Sequence, residues 1–255
     1  MKIKTELLYY SHGYTPAPEK ADFVTHVHTT YELLFVYRGR GRFLIEDAEY
    51  SCEPNALFLI PPGKYHVLEQ VPNQDYERCV INFSSRLLPK VIEPNRCFYR
   101  VTDDEVRTLF EKMTYYNEHY TDQALHTLIE ACLAEILVRV IFQKGEDMEG
   151  KNVPPIVKSA IEFINTHLEE PLSVSRIADA LFISGTHLSH LFSDTMNTGL
   201  MHYVSIKKTY AAREMLRRGA SVTEVCERFG YKSYPTFLRN YRAQFGINPS
   251  QEKRR

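Results

Sequence analysis

The sequence lacks tryptophan, Cys-x-x-Cys pairs and any apolar run close to the roughly 20 residues that span a bilayer. Its five cysteines are scattered and odd in number, so neither a disulfide framework nor a zinc–thiolate site is indicated. We expect them to be small buried residues. The amino-terminal stretch "MKIKTELLYY" has too short an apolar segment for a signal peptide. These absences predict a cytoplasmic protein with no membrane partner.

The 255 residues are enough for two domains, and the charge differs between the two parts of the chain. Residues 1–150 carry a net charge of −7, whereas residues 151–255 carry +6. The change falls at residues 143–155, a polar, charged stretch that ends in two prolines and that we interpret as a flexible linker. A basic part joined to an acidic part indicates that one domain binds nucleic acid.

Residues 23–101 consist of short apolar runs broken by glycine, proline and asparagine. This spacing favours an antiparallel sandwich or barrel. Gly39 and Gly41 flank a predicted hairpin turn, and Pro61, Pro62 and Gly63 mark another turn.

After Thr102, a predicted helix cap, the apolar period changes to 3.6 residues. The first predicted helix places Val106, Leu109, Phe110 and Met113 on one face. The second, "DQALHTLIEACLAEILVRVIF", is apolar most of the way round, so more than one neighbour must bury it. The β domain supplies one neighbour. A partner subunit could supply the other, although packing within one chain is an equally good explanation.

The carboxy-terminal part contains a repeat with an offset of 48 to 49 residues. "SVSRIADALFISGTHLSHLF" matches "SVTEVCERFGYKSYPTFLRNY", which has one extra residue in the turn. Ser173, Ser184, Ser221 and Ser233 are predicted helix caps. The predicted inward residues are Ile177, Ala178, Leu181, Leu188, Leu191, Phe192, Val225, Cys226, Phe229, Phe237, Tyr241 and Phe245. The repeat therefore predicts two helix-turn-helix motifs in tandem.

The outward residues of each second helix suit contacts with bases. In the first copy they are Thr186, Ser189 and His190, and in the second they are Tyr234, Pro235, Leu238 and Arg239. Arg239 could bind guanine with two hydrogen bonds, while Tyr234 or Leu238 could touch a thymine methyl group. The alternative is a merely solvated face. Two tandem copies in a basic domain favour DNA recognition.

A helix of about 18 residues is predicted between the copies, and at 1.5 Å per residue it is about 27 Å long. That length could hold the two recognition helices about one DNA turn apart. Four basic residues on or near this helix are candidates for phosphate contacts, although some could simply be solvated: Lys207, Lys208, Arg217 and Arg218.

Residues 171–250 resemble the DNA-binding domain of the AraC/XylS transcription regulators. The stretch "FGYKSYPTFLRNYRAQFGINPS" is similar to the second helix-turn-helix of that family. The matching residues are Gly230, Ser233, Phe237, Arg239, Phe245, Gly246 and Pro249. The sequence departs from the pattern at Lys208, where arginine is usual, at Asn248, and at Glu252–Lys253, where an aromatic residue and arginine are usual.

The amino-terminal part resembles the cupin-type sensor domain of such regulators. "HVHTTYELLFVYRG" and "PPGKYH" resemble the two cupin motifs, with His26, His28, Glu32 and His66 at the metal-ligand positions. Asn55 departs from the glycine that usually begins the second motif. Residues 26, 28 and 32 are separated by even numbers, so a strand would point all three to one face. Such a donor set suits Fe, Mn, Ni or Zn.

The resemblance implies a regulator whose cupin pocket binds an effector, commonly a sugar or related metabolite. We favour recognition of effector hydroxyls by the histidines without a required cofactor over a bound divalent metal. A third hypothesis is that the histidines only line the pocket and have satisfied hydrogen bonds. The implied partners are promoter DNA, the effector, RNA polymerase and a second copy of the chain. The alternative function is a cupin metalloenzyme fused to a DNA-binding module.

These observations predict an α+β protein of two domains. A cupin-like β-barrel covers residues 1–102. Residues 103–142 form a helical linker whose helices could also serve as a dimerisation surface. A flexible linker follows at 143–155. An all-α domain with two helix-turn-helix motifs covers 156–255.

Overall fold

The computed structural model describes residues 2–4, 7–17, 27–90, 98–101, 104–142, 150–231 and 233–252. The chain divides into two compact units, Met1–Lys151 and Asn152–Arg255. The boundary falls inside the predicted linker, of which residues 143–149 lie outside the described residues. The predicted cap Thr102 also lies outside them. No helix in the described ranges is long and apolar enough to cross a membrane.

The described strands form two sheets. All of them lie in the first unit except the last, which spans the boundary at Lys151 and Asn152. The strands are Lys2–Lys4 (β1), Leu8–Thr15 (β2), Tyr31–Arg38 (β3), Gly41–Ile45 (β4), Ala48–Cys52 (β5), Ala56–Ile60 (β6), His66–Gln70 (β7), Tyr76–Phe83 (β8), Phe98–Arg100 (β9) and Lys151–Asn152 (β10). The six-stranded sheet has the order β1-β2-β8-β3-β6-β9, and the four-stranded sheet has the order β10-β5-β4-β7. The predicted antiparallel β domain is confirmed, and its described strands are arranged as two sheets.

The sequence of strand β3 is almost continuously apolar because both faces of the strand are buried. Leu34 and Val36 belong to the core between the two sheets. Leu33 and Phe35, which alternate with them, belong to a second core on the opposite face. Both faces of the strand are therefore covered, so the alternation of polar and apolar residues typical of a half-exposed strand is absent.

The hairpin predicted at Gly39 and Gly41 is wrong. Strand β3 pairs with β6 and β8, whereas β4 pairs with β5 and β7, so this connection crosses from one sheet to the other. Glycine is required for space, because a Cβ on Gly41 would lie 2.2 Å from the carbonyl oxygen of Glu69. The tight hairpin joins β4 to β5, where Ile45 pairs with Ala48 and Glu46 adopts a φ of 51°. The turn at Pro61–Gly63 is present.

Two helices cover the outer face of the six-stranded sheet: α1 (Asp104–His119) and α2 (Asp122–Phe142). All four residues predicted to face inward from α1 are buried. The rings of Phe35 on β3 and Phe110 on α1 stack with their centroids 4.7 Å apart. Packing within the chain buries much of α2 and leaves Val138 and Phe142 exposed.

The second unit is helical, and its described helices are Pro155–Thr166 (α3), Val174–Ala180 (α4), Gly185–Met196 (α5), Leu200–Arg217 (α6), Val222–Arg228 (α7) and Tyr234–Phe245 (α8). The side chains of Ser173, Ser184, Ser221 and Ser233 each accept a hydrogen bond from the first turn of the following helix, which confirms all four predicted caps. Nine of the twelve predicted inward residues are buried, and Leu181, Leu191 and Phe245 are half-buried. The tandem helix-turn-helix prediction is confirmed.

The four described cysteines are buried thiols without a disulfide, as expected: Cys52, Cys79, Cys132 and Cys226. Burial raises the pKa of Cys52 to about 12, so this thiol is protonated and unreactive at neutral pH.

Candidate functional site

Three predicted site residues of the first unit come together at one end of the space between its sheets. Nε2 of His28 lies 2.7 Å from Oε2 of Glu32, and Nε2 of His66 lies 3.8 Å from Oε1 of Glu32. Glu32 is 4% exposed and His66 is 1% exposed, whereas His28 is half-buried. The cluster therefore has a covered carboxylate and one imidazole that solvent can reach.

The environment of Glu32 favours its charged form. Burial by itself would raise the pKa of this carboxyl group, but the hydrogen bond from His28 and the electrostatic interactions with His66 and His28 lower it to about 2. The side-chain amide of Asn82 adds a hydrogen bond of 2.9 Å to Oε2. The site thus maintains a carboxylate that has little contact with water.

His28 reaches the cluster from a loop, and not from a strand as the even spacing of residues 26, 28 and 32 predicts. His26 lies outside the described residues. His28 precedes β3, which begins at Tyr31, so strand alternation cannot aim its side chain. The loop is instead held by a hydrogen bond of 2.9 Å from the backbone N–H of Gly63 to the carbonyl oxygen of His28. This bond brings the two motif segments together.

Asn55, the departure from the cupin pattern, is compatible with the backbone. It has a φ of 69°, in the left-handed region that glycine adopts readily. Asparagine tolerates this region better than most other residues, so the substitution preserves the turn.

The donor set fits a divalent metal ion. The ligand atoms of His28, Glu32 and His66 all lie within 4.8 Å of one another. Nδ1 of His66 lies 2.9 Å from the carbonyl oxygen of Lys64, a contact that fixes the ring and directs Nε2 toward Glu32. Two imidazoles and a carboxylate are ligands suited to Fe, Mn, Ni or Zn.

Sequence reasoning missed Asn82, which completes the cluster. It lies on β8 opposite Glu32 on β3, 50 residues away in the sequence. The polar side chain within the otherwise apolar segment "CVINF" was the available signal. Strand register, which the sequence does not specify, was needed to assign it to this site.

In the second unit, the predicted base-contacting residues of the first helix-turn-helix share one surface. Thr186 and His190 are exposed on α5, and Ser189 is half-buried beside them. They line a shallow concavity of about 580 Å³ between α4 and α5, together with Asp179 of α4. The first turns of α5 therefore present hydroxyl and imidazole groups to a ligand.

The second helix-turn-helix presents a different surface on α8. Tyr234, Pro235 and Arg239 are exposed, and Leu238 is half-buried. Tyr234 also lines a concavity of about 450 Å³ between α7 and α8. This surface combines an arginine with apolar groups, as the sequence predicted.

The structure contradicts the predicted phosphate contact of Lys208. This side chain is only 8% exposed, and its Nζ donates hydrogen bonds to the carbonyl oxygens of Glu170 at 2.7 Å and Phe229 at 2.8 Å. Burial and the nearby charge of Arg176 lower the pKa of the lysine. Lys208 is engaged inside the domain, so it cannot reach a phosphate. Lys207 is half-buried, which leaves part of its side chain accessible.

The other two predicted phosphate contacts, Arg217 and Arg218, also differ in their exposure to solvent. Nε of Arg217 lies 2.9 Å from Glu252, and its side chain is 15% exposed, so its role is internal. Arg218 is exposed.

Glu252 explains one departure from the family pattern. It accepts hydrogen bonds from Arg213 at 2.8 Å, Arg217 at 2.9 Å and the hydroxyl of Tyr241 at 2.6 Å. Where the family usually has an aromatic residue, this chain therefore fixes its carboxy-terminal segment to α6 and α8 with a buried carboxylate.

Comparison with known proteins finds a domain family for each part of the chain. An AraC-like ligand binding domain matches residues 10–131, and a helix-turn-helix domain matches residues 177–255. The probable thc operon regulatory protein of Rhodococcus erythropolis is 26% identical over 158 residues, which cover 58% of this chain and 48% of that protein. The match thus spans about half of that relative.

Two further relatives match over most of their length. The uncharacterized HTH-type transcriptional regulator YfiF of Bacillus subtilis is 23% identical, over 96% of this chain and 83% of that protein. The XylDLEGF operon transcriptional activator 1 of Pseudomonas putida is also 23% identical, over 89% of this chain and 75% of that protein. The ligand-binding match in the first unit, the helix-turn-helix match in the second and these relatives together show that the chain belongs to the AraC/XylS family of DNA-binding transcription regulators.

Proposed function

We propose that this regulator acts in the cytoplasm and that an effector bound in its first unit changes the affinity of its second unit for a promoter. The observation that carries the proposal is the covered carboxylate of Glu32, held between His28 and His66 in the domain that matches a ligand-binding family. A ligand that changes the equilibrium between two arrangements of the protein would change DNA binding in proportion to its preference for one of them.

The effector best suited to the site is a small hydroxylated metabolite, such as a sugar or a sugar derivative. A carboxylate accepts hydrogen bonds from hydroxyl groups, and an imidazole can accept or donate them. His28 is half-buried, so it offers an entry point. Large apolar ligands fit less well, because Phe43, Phe58 and Tyr76 already fill the core between the sheets.

On the DNA, the two helix-turn-helix motifs take different roles in this proposal. Arg239 binds a guanine through two hydrogen bonds, whereas Thr186 and His190 contact base edges through a hydroxyl and an imidazole group. Lys207 contacts a phosphate and contributes affinity without sequence preference.

Two protein partners complete the proposal. The exposed Val138 and Phe142 of α2 form an apolar surface that a second copy of the chain would cover. A promoter-bound regulator would also contact RNA polymerase.

The test has a DNA part and an effector part. Selection from random duplex DNA should yield one preferred sequence for the full chain, and Arg239→Ala should relax that preference at one base pair. Pentoses, hexoses and sugar acids should then be screened for an increase in the thermal unfolding temperature. A stabilising sugar should lose its effect on Glu32→Gln and keep it on Glu53→Gln, a matched change at a more exposed carboxyl group. Equal effects on both variants would contradict the assigned site.

A metal-dependent enzyme is the second candidate, because two imidazoles and a carboxylate also form a common catalytic ligand set. A bound metal would supply a Lewis acid there, and Asn82 would hold the carboxylate in place. Metal content should be measured by plasma mass spectrometry on protein purified without an affinity-metal column. Near-stoichiometric metal that His28→Ala removes, combined with sugar turnover, would favour the enzyme. Metal below a tenth of an equivalent would favour metal-free recognition.

A further inference from the structure

A buried lysine in the middle of α6 joins the two helix-turn-helix motifs. Nζ of Lys208 donates to the carbonyl oxygen of Glu170, in the segment that leads into α4, at 2.7 Å. It also donates to the carbonyl oxygen of Phe229, at the carboxy-terminal end of α7, at 2.8 Å. One ammonium group is therefore bonded both to the segment that leads into the first motif and to the backbone of the second motif.

Two neighbouring contacts bring the same segments together. Nε of Arg228 lies 2.8 Å from Oε1 of Glu169. A Cβ built on Gly230 would lie 3.8 Å from Pro171, which is ordinary van der Waals contact. Residues 169–171 therefore lie directly against residues 228–230, and we call this contact the inter-motif junction.

Two other contacts of α6 each involve a single motif. The rings of Tyr203 and Phe192 pack with centroids 5.4 Å apart and hold α6 to α5. Nδ2 of Asn240 donates to Oγ of Ser205 at 3.0 Å, which holds α6 to α8. Lys208 differs from these residues because its hydrogen bonds restrain the two motifs relative to each other.

Burial of the Lys208 ammonium group makes this restraint specific. An ammonium group with little access to water must form hydrogen bonds to offset the cost of desolvation. The two carbonyl oxygens satisfy it only while both lie within about 3 Å of Nζ. Rotation of one motif against the other would break at least one of these bonds inside the protein, so the pair of bonds favours one arrangement.

DNA recognition depends on that arrangement. One base pair changes the azimuth on the duplex by about 34–36° and the position by about 3.4 Å. Two recognition helices with a fixed relative orientation can therefore bind only half-sites with a matching spacing.

We propose that Lys208 is a positioning residue that fixes the relative orientation of α5 and α8 and thereby selects the spacing between the two DNA half-sites. The proposal rests on the DNA-binding role of the second unit. It replaces the phosphate contact that the sequence predicted for this lysine.

The experiment uses the full chain and the DNA site that it selects from random duplexes. Duplexes are prepared in which one base pair is inserted or removed between the half-sites. Affinities are measured by fluorescence anisotropy at one fixed salt concentration, because affinity for DNA depends strongly on salt. The proteins are wild type, Lys208→Met, Lys208→Arg and the control Lys207→Met.

Wild type should prefer its best spacing over the neighbouring ones by about tenfold or more, as for a mismatched base pair. Lys208→Met keeps the chain length but removes the donors, so this preference should fall to about threefold or less. Lys208→Arg should retain the preference, because the guanidinium group can donate to both carbonyl oxygens. Lys207→Met should bind every spacing more weakly and leave the preference unchanged.

Two results would overturn the proposal: a Lys208→Met protein with the wild-type preference, or one that loses affinity by the same factor at every spacing. If Lys208→Met does not fold, the double variant Glu169→Ala/Arg228→Ala decides. Both of its side chains are about half exposed, so their removal should cost little stability. It should weaken the spacing preference, and an unchanged preference would count against the junction. A wild-type chain that selects no DNA sequence would overturn the DNA-binding role as well.

Discussion

The two units place their candidate site residues in opposite environments. The first unit buries them: Glu32 is 4% exposed and His66 is 1% exposed. The second unit exposes Thr186, His190 and Arg239 at the surface of short helices. A small effector can be enclosed by protein groups, whereas DNA must be read from outside. In the proposed function, interior contacts of the first unit determine the response to the effector, while surface side chains of the second unit determine which bases are read.

The largest expected effect concerns the buried carboxylate of Glu32 in the first unit. The pKa of Glu32 falls from an ordinary 4.5 to about 2, so its contribution to stability is complete above pH 4.5 and is lost as the pH falls toward 2. The shift corresponds to about 3 kcal/mol. Glu32→Gln should therefore destabilise the first unit at pH 7, and the difference from wild type should disappear near pH 2.

Hydrogen exchange of amides in β3 is a suitable measurement, because a chain of two units need not unfold in one step. Glu53→Gln, at a more exposed carboxyl group, is the matched control variant. An unchanged pH dependence in Glu32→Gln would show that the charge of this carboxylate does not stabilise the fold.

The second prediction concerns the exposed part of the comparison. Arg239→Ala should cost about 1–3 kcal/mol of binding free energy on the selected DNA site, because a bidentate contact with guanine is lost. Random DNA should lose much less affinity. Competition titrations with both DNAs would measure the two losses, and equal losses would reduce Arg239 to a nonspecific contact.

The third prediction compares the two turns within the second unit. Phe182 and Gly230 are equivalent in the repeat and have φ values of 55° and 63°. Phe182 is 95% exposed, so no packing offsets its left-handed backbone. Phe182→Gly should stabilise the unit by up to about 1 kcal/mol, since relief of strain exceeds the entropic cost of glycine.

Gly230→Ala should destabilise the unit by a similar amount through its backbone alone, because a Cβ there meets nothing closer than 3.8 Å. Urea denaturation measures both changes. A loss of stability in Phe182→Gly would show that this ring makes a stabilising contact.

The smallest expected effect belongs to Lys207. Lys207→Ala should weaken binding to all DNA sequences alike and lower the slope of log affinity against log salt by about one. A salt titration on specific and random duplexes measures that slope. A loss restricted to the specific duplex would instead assign Lys207 to base recognition.

The sequence predicted the second unit in detail because its information is local and repeated. The four serine caps and the inward residues follow from helix period and cap chemistry within short segments. Lys208 was misassigned because its partners are backbone carbonyl groups 38 and 21 residues away. A basic residue on a helix gives no sign of which face is buried until the neighbouring helices are placed.

In the first unit, family motifs predicted His28, Glu32 and His66 as site residues. The pairing of the strands could not be predicted from the sequence and was seen only in the structure. The connection at Gly39 and Gly41 has the composition of a hairpin turn and yet crosses between sheets. Asn82 could be assigned to the site only through the register of β3 and β8. Long-range pairing of this kind is not encoded in short windows of sequence.

The most direct test of effector control through Glu32 is the affinity of the full chain for its selected DNA. It is measured by fluorescence anisotropy with and without millimolar pentoses, hexoses and sugar acids. We expect at least one of these compounds to change the affinity of wild type and to leave that of Glu32→Gln unchanged. A compound that acts equally on both proteins, or a panel in which none alters the affinity of wild type, would contradict it.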